Sequence, residues 1–143
     1  LPQLKKKYID TGKVQLEFID YPLDRLAVIA ATLARSIPTK DGYVEAVSIL
    51  LKKQKQWAYS KNPLNELQSI AKLFGISSKK FNDISQNIPL MQEIVTKMEK
   101  ESKNFDINST PTFIVNDKYK ISGALSFKDF EKELLKSINA KKS

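Results

Sequence analysis

The chain has 143 residues, enough for one compact domain with a buried core, and its lack of cysteine and histidine excludes a thiol nucleophile, a Ser-His or Cys-His pair, a disulfide and any ordinary zinc site. The net charge of +8 is almost all lysine, since Arg25 and Arg35 are the only arginines. Without the bidentate guanidinium fork such a chain is a poor reader of nucleic acid, and lysines dispersed among Asp and Glu read as a solvated surface.

No run approaches the roughly 18–20 apolar residues of a membrane span, and with no basic, apolar leader a signal peptide is expected to be absent or already removed. Leu1 to Thr11 reads as the tail of a helix, with Leu4 and Tyr8 on one side and Gly12 as its stop. Val14, Leu16 and Phe18 then alternate with Gln15, Glu17 and Ile19, which predicts a strand ended by Pro22. Asp24 can cap "DRLAVIAATLARSI", an Ala-rich helix closed by Pro38. Asp41 is placed to cap one long helix, "GYVEAVSILLKKQKQWAYS", whose stripe runs Tyr43, Val47, Leu50 and Trp57. Asn62-Pro63 is a cap and first-turn pair for "LNELQSIAKLF", ended by Gly75. A short helix follows with Phe81 and Ile84 inward; Pro89 then opens a longer one to about Lys103, with Met91, Ile94, Val95 and Met98 as its buried side. Aromatic and Met stripes at helical spacing are read as core.

The last segment contains "NSTPTFIVNDKYKISGALS", Asn108 to Ser126. Thr112 to Val115 predicts a strand, Asn116-Asp117 a type I′ turn and Lys118 to Ser122 the return strand. Ser126 caps "FKDFEKELLKSINA", with Asp129 in the capping-box position. Taken locally, Pro111 only ends the helical approach and holds Thr110 extended, which needs no function. No repeat, low-complexity tract or linker is visible, so residues 1–143 read as a single domain.

The order of helix, "TPT" strand, hairpin, "SGA" and capped helix resembles the C-terminal half of the thioredoxin fold, and within it the DsbA-like thiol–disulfide oxidoreductases. "YIDTGKVQLEFIDYPLD" resembles the segment after that family's active-site helix. "LAVIAATLARSIP" and "KKQKQWAYSKNPLNELQSIAKLFGIS" resemble its inserted helical domain, and "FDINSTPTFIVNDKYKISGALSFKDFEKEL" is the nearest stretch. The resemblance implies an α/β, helix-rich chain: an incomplete thioredoxin-like fold with a short sheet of about three strands. It places a helical insertion over 24–103 and a cis-Pro hairpin with its C-terminal helix over 104–143. The family's threonine-proline peptide is cis and faces the redox cysteines, which carries a substrate-binding role onto Thr110 and Pro111.

The chain departs from the family where catalysis should be. The family's Cys-X-X-Cys is absent, and the resemblance places it upstream of Leu1. Many relatives carry a second cysteine pair, where this chain has Ser36 in "ARSI" and Ser85 in "DISQ"; as residues these are a helix-end serine and an exposed one. Glu17 is an acid in a strand the family usually makes apolar. The family's active-site strand lies between the "VQLEFI" and "TFIV" strands, so both are expected to need it, or a strand from another molecule, to fold properly.

The resemblance therefore implies the C-terminal portion of an oxidoreductase that acts by dithiol/disulfide exchange on exported proteins, with no cofactor and no metal. It would be extracytoplasmic, in the periplasm or cell envelope of a Gram-negative bacterium, with a membrane redox partner conceivable and the cysteine-free chain itself inactive. A strand-swapped oligomer is a further expectation, and a redox-inactive peptide-binding or chaperone module is the alternative. A basic nucleic-acid binder ranks last because arginine is scarce.

Overall fold

A computed structural model describes residues 2–142, so Leu1, where the opening helix was read to begin, lies outside the described residues. The chain forms two compact units, one of Leu1–Ile19 with Glu99–Ser143 and one of Asp20–Met98.

In the first unit, α1 (Pro2–Leu4) continues into a wider, π-helical turn, Lys5–Ile9. There the Asp10 N–H donates to the Lys5 carbonyl five residues back at 2.7 Å. Gly12, at φ 78, ends the element in the left-handed region that glycine enters at no steric cost. Beyond it Val14, Leu16 and Phe18 are half-buried and Gln15, Glu17 and Ile19 exposed, so the expected alternation of faces is present. The expected ladder is not. Among the described residues the sheet has two strands, β1 (Thr112–Val115) and β2 (Tyr119–Ser122), where about three were expected. Alternation settles which face a side chain takes, whereas a strand also needs a partner backbone about 4.8 Å away.

β1 and β2 pair antiparallel, with Phe113 opposite Ile121 and Val115 opposite Tyr119. Asn116 and Asp117 have φ of 53° and 58°, the left-handed pair a type I′ turn requires. The Lys118 N–H closes the turn on the Val115 carbonyl at 3.2 Å. α8 (Phe127–Lys142) starts at Ser126, whose Oγ accepts the Asp129 N–H at 3.2 Å. It packs on both strands. The buried centre is Leu4, Tyr8 and Leu134, with Val14, Leu16, Val115 and Phe130 against it. At its edge the Tyr8 hydroxyl donates to Glu131 Oε2 at 2.6 Å, and Lys7 pairs with the same carboxylate. The bond from Lys7 first, and that from Tyr8 second, hold the Glu131 carboxyl below its ordinary value.

The second unit is helical: α2 (Arg25–Arg35), α3 (Lys40–Lys52), α4 (Gln54–Ala58), α5 (Pro63–Lys72), α6 (Ser78–Ile84) and the first part of α7 (Ile88–Phe105). α2 packs against α3, α5 and α6, burying Leu33, Ala34, Leu67 and Ala71 to 1% exposure or less. A fully buried Leu contributes about 1.5–3 kcal/mol of transfer free energy. Asp24 caps α2 as expected, accepting the Ala27 N–H at 2.8 Å. The cap of α3 is Thr39, not Asp41: its hydroxyl accepts the Gly42 N–H at 3.0 Å, which leaves Asp41 in the first turn. Asn62 makes no side-chain cap bond on α5. α7 starts one residue before Pro89, with Asn87 Oδ1 accepting the Leu90 N–H at 3.2 Å; of its expected inward side Ile94 is buried and Met91, Val95 and Met98 are half-buried.

The long helix read through Gln54 is broken at Lys53, which leaves helical geometry at ψ 13. The break turns the Trp57 indole under the end of α3, where its N–H donates to the Leu50 carbonyl at 2.9 Å. Tyr43, Leu50 and Trp57 are each 6% exposed, so the stripe survives the break. Asp20 closes this unit's polar interior. One oxygen accepts the Tyr43 hydroxyl and the other the Arg35 Nε–H, both at 2.6 Å, and the guanidinium lies 4.1 Å from the Tyr43 ring centroid. Burial first and the Asp20 hydrogen bond second push the Tyr43 hydroxyl far above its ordinary range.

Candidate functional site

Thr110 and Pro111 lie between the end of α7 and β1, and both are exposed. The backbone reverses at Asp106 (φ 52), after which the Ile107 N–H donates to the Ser102 carbonyl at 3.0 Å. Lys120 Nζ donates to the Asp106 carbonyl at 2.8 Å, tying β2 to this reversal. The Thr112 hydroxyl donates to the Ser109 carbonyl at 2.7 Å. The Thr110–Pro111 peptide bond is cis. These bonds bracket an irregular stretch that no helix or sheet would otherwise shape.

The direction of the backbone follows from one bond. Gly123, at φ 92, donates its N–H to the Pro111 carbonyl at 2.9 Å, which makes that pair a hydrogen-bonded one. Alternation along an antiparallel ladder then turns the N–H and C=O of Phe113 and Val115 toward β2 and those of Thr112 and Ile114 away from it. Among the described residues the outward groups of Thr112 and Ile114 have no hydrogen-bond partner, nor has the backbone of Thr110. Beneath them the Phe113 ring packs on Phe130 of α8, centroids 4.6 Å apart and planes tilted 59°. The arrangement is a short unpaired backbone edge, braced by an aromatic pair, that can take an added strand; Thr110 and Pro111 stand just before it.

The structure brings Thr110 and Pro111 together with this edge. Ser36 and Ser85 are not part of it. Their hydroxyls bond back to the Thr32 and Asn82 carbonyls at 2.7 and 2.8 Å as helix-end serines do, and Ser85 is half-buried rather than exposed. No cluster of His, Cys, Asp or Glu that could hold a metal occurs among the described residues. A depression of about 390 Å³ on the helical unit, lined by Ser77, Lys79, Lys80, Asp83, Ile84 and Asn87, carries no nucleophile–base pair. Two polar clusters went unseen in the sequence, Asp20–Arg35–Tyr43 and Lys7–Tyr8–Glu131. Their hydrogen-bonded pairs stand 15, 23 and 123 residues apart, and no spacing signal marks them.

The thioredoxin family profile, described as "Thioredoxin", matches residues 1–136. A Rickettsia typhi protein named "Putative protein-disulfide oxidoreductase" is 30% identical over 115 residues, covering 80% of this chain and 43% of the relative. A Rickettsia conorii protein of the same name is also 30% identical, over 80% of this chain and 42% of its own length. The chain thus spans about two fifths of the length of these curated relatives. The crystal structure of Wolbachia pipientis alpha-DsbA1 superposes with a TM-score of 0.83 at 27% identity, covering 94% of this chain and 73% of that one. The helix-rich architecture with its small sheet is that of a DsbA-like thioredoxin fold with a helical insertion. The chain belongs to the thioredoxin family and, within it, to the DsbA-like proteins.

Proposed function

We propose that this chain is the substrate-holding portion of a DsbA-like protein thiol–disulfide oxidoreductase that acts on exported proteins in the periplasm or cell envelope of a Gram-negative bacterium. The observation that carries the reading is the superposition on alpha-DsbA1 over 94% of the chain. Residues 24–103 are the helical insertion in this reading, and 104–143 bring the Thr110–Pro111 turn and hairpin. Thr110 and Pro111 hold the substrate backbone, while the outward edge of β1 takes the strand that precedes the dithiol. The dithiol belongs to a part of the protein outside these 143 residues. There a thiolate attacks one sulfur of a disulfide, a new S–S bond forms as the old one breaks, and the other sulfur leaves as thiolate. With no cysteine of its own, the chain performs no exchange alone.

The test compares the natural full-length protein with the 143-residue chain in an insulin reduction assay driven by dithiothreitol, with intact mass measured on both. Activity in a full-length protein carrying Cys-X-X-Cys, and the uncatalysed rate with the chain alone, is expected. A single turnover of exchange by the chain would overturn the assignment. A natural protein without the dithiol would favour a redox-inactive peptide-binding or chaperone module, a reading the cysteine-free sequence itself supports. The two share one further readout. An extended, cysteine-free peptide should shift the amide resonances of Ser109 and Thr110, and shifts confined to other residues would remove the binding role from both.

A further inference from the structure

The junction of α3 and α4 stands apart from the rest of the surface in composition. Residues 51–56 are exposed without interruption, the longest such run among the described residues. Lys52, Lys53 and Lys55 lie in it, and Lys61 follows just beyond α4. No Asp or Glu occurs between residues 46 and 65. None of the four lysines makes an ion pair among the described residues, in contrast to Lys5, Lys7 and Arg35. The nearest acid in sequence, Glu66, accepts a bond from Gln56 Nε2 at 2.9 Å. Two large apolar side chains share the junction and are left in solvent, Leu51 at 65% exposure and Tyr59 at 84%.

Hydrogen bonds hold the junction in place. The Lys53 N–H donates to the Ile49 carbonyl at 3.0 Å and the Trp57 N–H to the Lys53 carbonyl at 3.2 Å, while the Trp57 indole bonds to Leu50 from beneath. Leu51 and Tyr59 stand on either side of the break at Lys53. An acidic protein partner would fit the Leu and the Tyr, but four lysines in one patch run against protein interfaces, which are depleted in Lys. A lipid surface accounts for both: lysine heads meet anionic headgroups while Leu and Tyr settle at the headgroup level. No helix among the described residues is long and apolar enough to cross a membrane.

We propose that the α3–α4 junction, through Leu51, Lys52, Lys53, Lys55, Tyr59 and Lys61, docks this chain on an anionic phospholipid surface. The docking is independent of the redox assignment and uses neither Thr110 nor Pro111.

The test is co-sedimentation of the chain with phosphatidylcholine vesicles and with vesicles containing 30% phosphatidylglycerol, at 0.1 M salt. Binding to the anionic vesicles alone is expected. Replacing Lys52, Lys53, Lys55 and Lys61 by Gln should weaken partitioning by about fivefold per lysine, whereas the same change at Lys72, Lys79, Lys80 and Lys100 should weaken it far less. Leu51→Ser with Tyr59→Ser should lower it several-fold at unchanged salt dependence. Circular dichroism spectra matching the parent establish that each variant is folded. Absence of binding to anionic vesicles overturns the proposal, and so does equal loss in the two lysine sets, which would make the attraction one of bulk charge. A serine pair that binds like the parent also overturns it, leaving an acidic macromolecule as the partner.

Discussion

The two units solve the same problem with different materials. The helical unit, Asp20–Met98, has an interior in which Thr32, Leu33, Leu67 and Ala71 are essentially sealed from solvent. The hairpin unit has a thinner centre. Every residue of β1 is only half-buried, and its deepest side chains are Leu4, Tyr8, Ile121 and Leu134 at 4–6% exposure. Helices satisfy their own backbone, so a bundle can close on side-chain packing alone, whereas a strand satisfies its backbone only through neighbours. The closed unit therefore carries the packing, and the hairpin unit keeps an open backbone edge beside Thr110 and Pro111.

Truncation in the two interiors tests that comparison most strongly. Leu67→Ala should cost about 3 kcal/mol, the cavity and transfer terms together, read as a lower urea midpoint in the fluorescence of Trp57, the only tryptophan, which lies in the helical unit. Val115→Ala on half-buried β1 should cost about 1 kcal/mol, read by hydrogen exchange of the Phe113 and Ile121 amides. Equal losses would break the distinction.

A smaller effect is expected inside the helical unit at Asp20. Asp20→Asn keeps the volume but removes the charge that Arg35 Nε and the Tyr43 hydroxyl both address, and should cost on the order of 2 kcal/mol. Unchanged Trp57 unfolding in this variant would mean the cluster holds only itself.

The smallest expected effect separates the units by pH. The folded Glu131 pKa lies below its ordinary 4.5, so its contact stabilises the hairpin unit at pH above 4.5 and is lost as pH falls through the folded value. Lys7 and Tyr8 have raised values, Lys7 chiefly and Tyr8 chiefly through the bond to Glu131. Their share is complete below about pH 10 and lost as pH rises beyond. Glu131→Gln should flatten the acid side of amide-exchange protection at Phe113 and Ile121 while leaving the Trp57 signal unmoved. A profile as steep as the parent's would assign the acid sensitivity to other carboxylates.

Much of this was legible because it is local. Asp24 before an Ala-rich run, the Asn116-Asp117 turn and Ser126 before "FKDF" each state their structure within four residues, and each forms as read. The period of two over Val14–Ile19 was also right about faces, yet wrong as a ladder, since pairing depends on a backbone elsewhere. The α3 cap and the break at Lys53 were missed for the same reason. Thr39 and Asp41 compete at equal local merit, and Trp57 reaches back to a carbonyl that periodicity does not register.

By itself, then, the sequence determined most of the elements and their solvent faces, the absence of thiol chemistry within these residues and a family resemblance that the profile and the superposition bear out. Those properties are short-range or compositional, set by residue type and spacing. Tertiary structure alone decided that Asp20 gathers Arg35 and Tyr43, that Glu131 meets Lys7 and Tyr8 across the chain, and that Thr110, Thr112 and Ile114 turn unpaired backbone to one edge. The reason is physical: hydrogen bonds and ion pairs between distant residues depend on where packing places the backbone, and only the folded chain supplies those positions.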